Sequence, residues 1–271
     1  MRIALAQLDS RLGDLDANAQ RARETAAEAR AGGADLVVFP ELQLSGYALG
    51  SLGHDTSRSA AVAAAAVANG VAALVGFHER DGERRYNSAA YVEAGAQAPV
   101  HVHRKLYLVD YAPFEETAHF APGESMRAFD TALGRAAVLI CNDAWQPFLP
   151  SLAVQDGAEV LLVPSASSTA VPEAEHYWRE ATRFYARMLE CYVVFVNRVG
   201  VEGGFTFWGG SHVVDPLGEV VAEAPRLEES LLLVDIRLDR VAARRRELPL
   251  TTLRPDLLRT ELERLATRRI R

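Results

Sequence analysis

Short apolar runs rich in β-branched residues alternate along this chain with longer segments of helical character, and no other feature constrains the fold as strongly. A strand is predicted over residues 3–8. An Ala-, Arg- and Glu-rich helix is predicted over 17–31 and is closed by the C-capping signal Gly32-Gly33. Units of strand, helix and strand place helices against the faces of a sheet. The alternation therefore predicts an α/β fold built on mixed sheets and covered by helices.

The other predicted elements follow from the same patterns, with turn residues at their ends. Further helices are predicted over 57–69, 149–155 and 172–190. Further strands are predicted over 35–39, 71–77, 87–92, 100–103, 135–140, 160–164, 192–197, 210–215, 219–223 and 231–236. We expect two hairpins, one joining 87–92 to 100–103 and one joining 210–215 to 219–223. The segment 237–271 is charged and helical in pattern, so we expect one domain over 1–271 that ends in a helical arm.

Charge and apolar patterning narrow the partners and the location of the chain. Its 271 residues include 29 Lys and Arg against 36 Asp and Glu, a net charge of −7, whereas a general nucleic-acid binder needs a basic face. The longest apolar stretch, 60–68, is too short to span a bilayer, and the N-terminus lacks the apolar region of a secretory signal. We expect a soluble, cytoplasmic protein that binds neither nucleic acid nor membranes.

Three chemically capable side chains follow predicted strands. Glu41 comes directly after the apolar run 36–40, Cys141 comes directly after 138–140, and Lys105 follows 100–103. Functional sites gather at the carboxyl ends of strands in α/β sheets. A thiol becomes a strong nucleophile as a thiolate, and a nearby cation such as Lys105 would lower its pKa. A carboxylate such as Glu41 could take the thiol proton and later activate water.

Each of these residues also has a plainer interpretation, and the residues alone do not decide between the two. A cysteine after an apolar run is usually a small buried hydrophobe, as we expect for Cys191. Glu41 could be an acid that favours a helix N-terminus, and Lys105 could be a solvated surface lysine.

Each of the three residues lies in a short sequence motif: Phe-Pro-Glu-Leu-Gln-Leu-Ser-Gly-Tyr over 39–47, His-Arg-Lys-Leu over 103–106 and Leu-Ile-Cys-Asn-Asp over 139–143. These motifs resemble, in the same order, the three signatures of the nitrilase superfamily of carbon–nitrogen hydrolases. Further likeness runs over roughly 1–236. The resemblance implies a four-layer α-β-β-α sandwich that dimerises across a helical face, with Glu41, Lys105 and Cys141 as catalytic residues. It also implies a fourth acid within 114–123, where Glu116 rather than Glu115 is in register.

The segment after the cysteine departs from the family pattern, which leaves the substrate open. The family often has Arg-Phe-Pro-Glu where this chain retains the proline but has Phe148 in place of the glutamate. Asp143 and Trp145 resemble the glutaminase domains of glutamine-dependent NAD synthetases. No synthetase domain precedes Arg271, so we expect no channelling partner within the chain. Family position or adjacency suggests six substrate-binding residues: Tyr47, Tyr111, Asn142, Trp145, Ser165 and Ser167.

The expected function is hydrolysis of a small linear amide through a cysteine thioester, with Lys105 and the Asn142 N–H stabilising the oxyanion. A nitrilase, an N-carbamoyl hydrolase and a non-catalytic scaffold remain alternatives. We expect no metal and no cofactor, because His101 and His103 share a strand face without a third ligand nearby. The expected partners are a small-molecule amide and further copies of the chain, in a homodimer or a higher homo-oligomer.

Overall fold

A first six-stranded sheet holds the N-terminal strands. The structure, a computed structural model, describes residues 1–47, 67–68, 70–111, 113–252 and 254–268. The strands of this sheet are β1 (Arg2–Gln7), β2 (Leu36–Val38), β3 (Ala72–Asp81), β4 (Arg84–Val92), β5 (His101–Arg104) and β14 (Ser230–Asp235), in the order β14-β1-β2-β3-β4-β5. The pairs β1–β2 and β2–β3 are parallel, and the others are antiparallel.

A second six-stranded sheet repeats this plan. Its strands are β6 (Ala128–Thr131), β7 (Gly134–Val138), β8 (Val160–Ser165), β9 (Tyr192–Asn197), β12 (His212–Val214) and β13 (Val220–Glu223), in the order β13-β12-β9-β8-β7-β6. The pairs β7–β8 and β8–β9 are parallel. A separate antiparallel hairpin consists of β10 (Val199–Glu202) and β11 (Phe205–Trp208).

Five helices are described: α1 (Leu15–Ala31), α2 (Phe148–Gln155), α3 (Ala174–Met188), α4 (Asp239–Glu247) and α5 (Pro255–Ala266). The carboxylate of Asp14 caps α1 by accepting a hydrogen bond from the Ala17 N–H at 3.1 Å. None of the helices built from described residues combines the length and apolar character needed to cross a bilayer.

Three apolar clusters set the order of the layers. Alanines of α1 pack against one face of the first sheet, and the other face packs against the second sheet through residues such as Leu5 and Ile140. The far face of the second sheet packs against α2 and α3, with Trp178 against Phe195. Fully burying such a side chain stabilises the fold by about 1.5–3 kcal/mol. The layers therefore run α-β-β-α, which confirms the expected fold class.

The secondary structure agrees with the sequence at most predicted elements, and the main differences are at five strands. Both predicted hairpins are present, as β4–β5 and β12–β13. The short strands β6, β10 and β11 were not predicted, and β3 and β4 are longer than expected and form a hairpin of their own. The predicted helix over 57–69 lies outside the described residues except for 67 and 68. The described part of 237–271 is helical as expected, whereas the division into a domain and an arm stays a prediction.

Candidate active site

Glu41 lies in the turn that follows β2, against the neighbouring strand β3. A Cβ on Gly76 of β3 would come within 2.4 Å of the Pro40 carbonyl oxygen, so glycine there lets the turn approach the strand. The Glu41 carboxylate is buried and accepts hydrogen bonds from Asn87 Nδ2 at 2.7 Å and from the Ala166 N–H at 2.8 Å. These two hydrogen-bond donors therefore come from β4 and from the segment after β8, both distant from Glu41 in the sequence.

Lys105 lies directly after β5 and points its ammonium at two carboxylates. Nζ donates to Oε1 of Glu41 and to Oε1 of Glu116, each at 2.7 Å, and all three side chains are buried. Burial lowers the pKa of Lys105, but the charges of Glu116 and Glu41 outweigh it and hold that pKa well above its ordinary value. The ammonium therefore keeps its charge at neutral pH.

Glu116 begins a 3₁₀ turn over Glu116–Ala118 and joins two further groups to the lysine. Its Oε1 also accepts a hydrogen bond from the Tyr47 hydroxyl at 2.7 Å, and its Oε2 accepts one from the Val109 N–H at 2.8 Å. Burial, followed by the charge of Glu116, raises the pKa of Tyr47 well above its ordinary value, so this hydroxyl remains a donor. Glu116 thus fixes Lys105 and the pocket residue Tyr47 together.

Cys141 follows β7 and starts a 3₁₀ turn over Cys141–Trp145 with a left-handed backbone conformation. Its φ of 45° is unusual for a residue with a side chain, and strained backbone of this kind gathers at functional sites. Burial, and then the charge of Glu41, raises the pKa of the thiol well above its ordinary value; Lys105 and the Ala166 N–H only partly oppose this. Lys105 does lower the pKa of the thiol as expected, but burial and the carboxylate charges outweigh its effect.

Glu41 titrates in the direction that suits proton transfer. Burial raises the pKa of its carboxyl; the Lys105 charge opposes this rise and the Glu116 charge adds to it. A carboxylate with a raised pKa is a better proton acceptor than an exposed one. The raised pKa leaves the thiol protonated at neutral pH, with the Glu41 carboxylate close enough for its charge to act on it.

Asp143 ties the cysteine turn to the lysine segment. Its Oδ1 accepts hydrogen bonds from the N–H groups of Leu106 and Tyr107, each at 2.9 Å, and its Oδ2 accepts one from the Ile140 N–H at 3.1 Å. The same Oδ2 lies 2.9 Å from His103 Nε2 in a fully buried contact. The sequence indicated Asp143 only as part of a motif, because its partners His103, Leu106 and Tyr107 lie more than 30 residues away.

The histidines of β5 do not form a metal site. His103 contacts Asp143, and the ring of His101 stacks on Phe129 with centroids 4.3 Å apart. Within the described ranges, no group of three or more His, Cys, Asp or Glu side chains is placed to hold a metal ion.

A small pocket opens beside Cys141. Its volume is about 30 Å³, and its described lining is Tyr47, Val109, Tyr111, Phe114, Cys141, Asn142, Trp145, Ala166, Ser167, Ser168 and Val171. Five of the six suggested substrate-binding residues are in this lining. The exception is Ser165, which is fully buried at the end of β8. Adjacency to the signatures could have indicated Val109, Phe114, Ala166 and Ser168, whereas nothing in the sequence indicated Val171.

Ser167 lies where two of the three tryptophans meet the pocket wall. Its Oγ accepts hydrogen bonds from the indole N–H of Trp178 at 3.0 Å and of Trp208 at 3.3 Å. Trp178 and Trp208 are therefore buried supports of the pocket, and Trp145 is the tryptophan that lines it.

The α-β-β-α layers and the meeting of a thiol, two carboxylates and an ammonium define an enzyme that hydrolyses carbon–nitrogen bonds. The chain belongs to the carbon-nitrogen hydrolase family, whose model matches residues 2–246. It is a C–N hydrolase, as the motifs of the sequence indicated.

Two kinds of relative illustrate what the chain is similar to. Over 252 residues, 88% of the chain, it is 34% identical to the glutamine-dependent NAD(+) synthetase of Thermotoga maritima, of which it covers 42%. The chain thus spans less than half the length of the NAD synthetases that it matches. Over 273 residues it is 28% identical to the N-carbamoylputrescine amidase of Arabidopsis thaliana, covering 92% of this chain and 91% of that protein.

A solved amidase has a similar fold over nearly all of the chain. The amidase of Nesterenkonia sp. AN1 matches with a TM-score of 0.82 and 28% identity, covering 96% of each chain. That structure shows the acetamide moiety of fluoroacetamide added covalently at the amidase's active-site cysteine.

Proposed function

We propose that this protein hydrolyses a small linear amide through a cysteine thioester, releasing ammonia or an amine and a carboxylic acid. One observation carries the proposal: the Lys105 ammonium is held by both Glu41 and Glu116 at 2.7 Å, next to Cys141, which lines the pocket. The site thus combines a nucleophile, a base and a fixed positive charge.

In the first half-reaction Glu41 accepts the proton of the Cys141 thiol. The thiolate sulfur attacks the amide carbonyl carbon, and the carbonyl oxygen becomes negatively charged. The Lys105 ammonium and the Asn142 N–H stabilise this oxyanion. Glu41 then gives its proton to the leaving nitrogen as the C–N bond breaks, which leaves an acyl thioester on Cys141.

In the second half-reaction Glu41 accepts a proton from a water molecule, whose oxygen attacks the thioester carbonyl carbon. The tetrahedral species collapses, the C–S bond breaks and the sulfur regains the proton from Glu41. The same carboxyl serves as base and acid in both halves, which a raised pKa favours. Glu116 stays bonded to Lys105 and fixes the direction of the ammonium.

The pocket supports a small substrate. Its described lining is mostly aromatic or small, with Tyr47, Tyr111, Phe114 and Trp145 around the thiol, and its volume is about 30 Å³. Aromatic walls bind apolar carbon chains, and a few polar groups orient the amide. A short acyl group therefore suits this site.

A second candidate substrate is the side-chain amide of glutamine. It is favoured by the 34% identity to an NAD synthetase described as glutamine-dependent. The resemblance of Asp143 and Trp145 to the glutaminase domains of such synthetases favours it too. An N-carbamoyl compound is the corresponding candidate from the plant relative. A nitrile would react through a thioimidate at the same thiol.

We also propose that the protein forms a homodimer through α3. Tyr177, Phe184 and Met188 are spaced to share one face of this helix, and each is more than 40% exposed. An apolar helix face of this kind is typical of a subunit contact. Light scattering of the wild type and of Phe184→Glu tests it: a wild-type monomer, or a Phe184→Glu dimer, contradicts it.

Ammonia release from matched substrates tests the function. Wild type and Cys141→Ala are incubated with propionamide, glutamine, N-carbamoylputrescine and propionitrile. We expect release from propionamide by the wild type alone. Ammonia release from the nitrile alone would show a nitrilase in place of the proposed amidase. Equal ammonia release by Cys141→Ala would rule out a thioester on Cys141. Turnover of none of the four would favour a scaffold.

A further inference from the structure

The hairpin of β10 and β11 contacts both the backbone and the ring of Tyr47. Tyr47 lines the pocket and donates a hydrogen bond to Glu116. We propose that Glu202, at the end of β10, is a positioning residue for the reaction: it holds the Tyr47 backbone and, through Tyr47, the Glu116–Lys105 pair. This inference rests on the proposed function and adds a residue to it that no sequence signature indicated.

Glu202 makes one bond to the active-site segment and one to a buried cation. Its Oε1 accepts a hydrogen bond from the Tyr47 N–H at 2.6 Å. Its Oε2 lies 2.8 Å from Nη1 of Arg198, and the two side chains are 5% and 1% exposed. A charge-assisted hydrogen bond to a backbone N–H in such a buried place is short and strong. The Tyr47 main chain is therefore held at a fixed point.

The chain before Tyr47 is shaped to admit this carboxylate. Gly46 has a φ of 80°, and a Cβ there would lie 2.6 Å from Glu202 Oε2. A side chain at this position would push the Glu202 carboxylate away, so glycine permits the close approach. Tyr47 and Glu202, 155 residues apart in the sequence, are therefore in direct contact.

Arg198 fixes the other end of Glu202. Its Nη2 donates to Asp9 Oδ1 at 2.7 Å and to the Ser10 carbonyl oxygen at 2.8 Å. Its guanidinium lies 4.6 Å from the centroid of the Phe207 ring, in cation–π contact. Because the arginine is held on several sides, the Glu202 carboxylate has little freedom to follow a displaced Tyr47.

The hairpin also packs on the Tyr47 ring. The rings of Phe205 and Phe207 on β11 meet it edge-on, with centroids 6.0 and 5.9 Å away. The Tyr47 hydroxyl then reaches Glu116 Oε1, which is 2.7 Å from Lys105 Nζ. A continuous series of contacts therefore runs from Glu202 through Tyr47 and Glu116 to the ammonium that stabilises the oxyanion.

A double-mutant cycle between Glu202→Ala and Tyr47→Phe tests the inference on an amide that the wild type hydrolyses. We expect Glu202→Ala to lower kcat about tenfold while KM changes less than about threefold, since the lost interaction orients the catalytic lysine. Tyr47→Phe removes the bond to Glu116. In that background Glu202→Ala should cost less than about twofold further.

Glu202→Gln keeps an oxygen for the Tyr47 N–H and should lose only about threefold in kcat. It replaces Glu202→Ala in the cycle if the alanine variant does not fold. Glu219→Gln, which removes the carboxylate of an exposed ion pair with Arg183, is the matched control and should keep wild-type kcat. Equal losses from the Glu202 change with and without the Tyr47 hydroxyl would overturn the inference. So would a lower melting temperature with kcat unchanged.

Alkylation of Cys141 by iodoacetamide gives a readout that does not depend on hydrolysis. A loosened Lys105 stabilises the thiolate less, so Glu202→Ala should be alkylated at least about threefold more slowly than wild type at the same pH. If the wild type hydrolyses none of the tested amides, the proposed function fails while this comparison still decides the inference. An unchanged alkylation rate in the folded variant would contradict it.

Discussion

Glu41 and Glu116 share one cation, each with an oxygen 2.7 Å from the Lys105 ammonium. Two buried carboxylates beside one ammonium leave an excess negative charge when all three are ionised. Burial, and then that excess, favours a neutral thiol at Cys141 and disfavours a resting thiolate. In the proposed mechanism the two carboxylates have separate tasks: Glu41 moves protons, and Glu116 holds the lysine.

Replacing the nucleophile should abolish hydrolysis without unfolding the protein. Cys141→Ala removes the only described group able to form the thioester, and we expect kcat/KM to fall by about 10³-fold or more. Cys191→Ala is the control, because Cys191 is buried in the α3 side of the core, away from the pocket. It should keep kcat and lose some thermal stability. An active Cys141→Ala protein would contradict the scheme.

The acid limb of the pH–rate profile should report Glu41. Burial raises the pKa of this carboxyl, so it gains its proton at a higher pH than an exposed glutamate does. Protonated Glu41 cannot accept the thiol proton. Therefore kcat/KM should fall as pH drops through the raised pKa, above the ordinary value of 4.5. Glu41→Gln should lose the limb together with most activity; an unchanged limb in that variant would assign it to another group.

The two cysteines should be alkylated at different rates. Burial raises the pKa of Cys191 to about 12 and that of Cys141 above its ordinary value, so both thiols are mainly protonated at pH 7. Only Cys141 borders the pocket and has Glu41 as a neighbouring base. We expect mass spectrometry to find iodoacetamide on Cys141 first, with a rate that rises with pH. Glu41→Gln should slow it at pH 7, and prior modification of Cys191 would contradict this order.

Removing Asp143 should loosen both segments that it joins. Asp143→Ala leaves the N–H groups of Ile140, Leu106 and Tyr107 without their acceptor in a buried place. We expect the free energy of unfolding to fall by about 3 to 5 kcal/mol in a urea titration, with a loss of kcat in the folded fraction. Asp143→Asn keeps one acceptor oxygen and should lose less. Equal stability of Asp143→Ala and wild type would refute this role.

His101 should make the fold sensitive to mild acid. Burial, followed by the charge of His103, lowers the pKa of His101 to about 4, whereas an unfolded histidine titrates near 6.5. The unfolded state binds more protons between these values. Stability is therefore fully present above pH 6.5 and is lost as pH falls towards 4. The melting temperature should follow this direction, and His101→Phe, which keeps a ring beside Phe129, should show a flatter dependence.

The candidate nucleophile, base and cation could be proposed from the sequence because each follows a predicted strand. The carboxyl ends of parallel strands meet at one edge of a sheet. The three family signatures indicated that Glu41, Lys105 and Cys141 belong to one site, which their spacing in the sequence alone could not show. The same resemblance predicted Glu116. These residues could be recognised from the short sequence motifs around Glu41, Lys105 and Cys141.

Other parts of the site depend on contacts between distant segments. The pKa of Cys141 is raised by burial and by carboxylates that are remote in sequence, so the lowering effect of Lys105, which the sequence indicated, does not set the net direction. The hairpin around Glu202 has two four-residue strands beside Gly203-Gly204, too short for a clear alternation. Ser165 is still within β8 and points into the core, whereas Ser167 and Ser168 lie beyond its end and reach the pocket.

Glu41 and Lys105 follow strands of the first sheet, while Cys141 and the Ala166 N–H follow strands of the second. The groups of the proposed reaction are thus divided between two layers whose facing sides pack through a cluster of apolar side chains. A slip of one layer over the other by an ångström would separate base from nucleophile while every strand kept its hydrogen bonds. During gradual denaturation, turnover should therefore vanish before the far-ultraviolet circular dichroism changes, which makes the reaction rate a gauge of how the two layers are aligned.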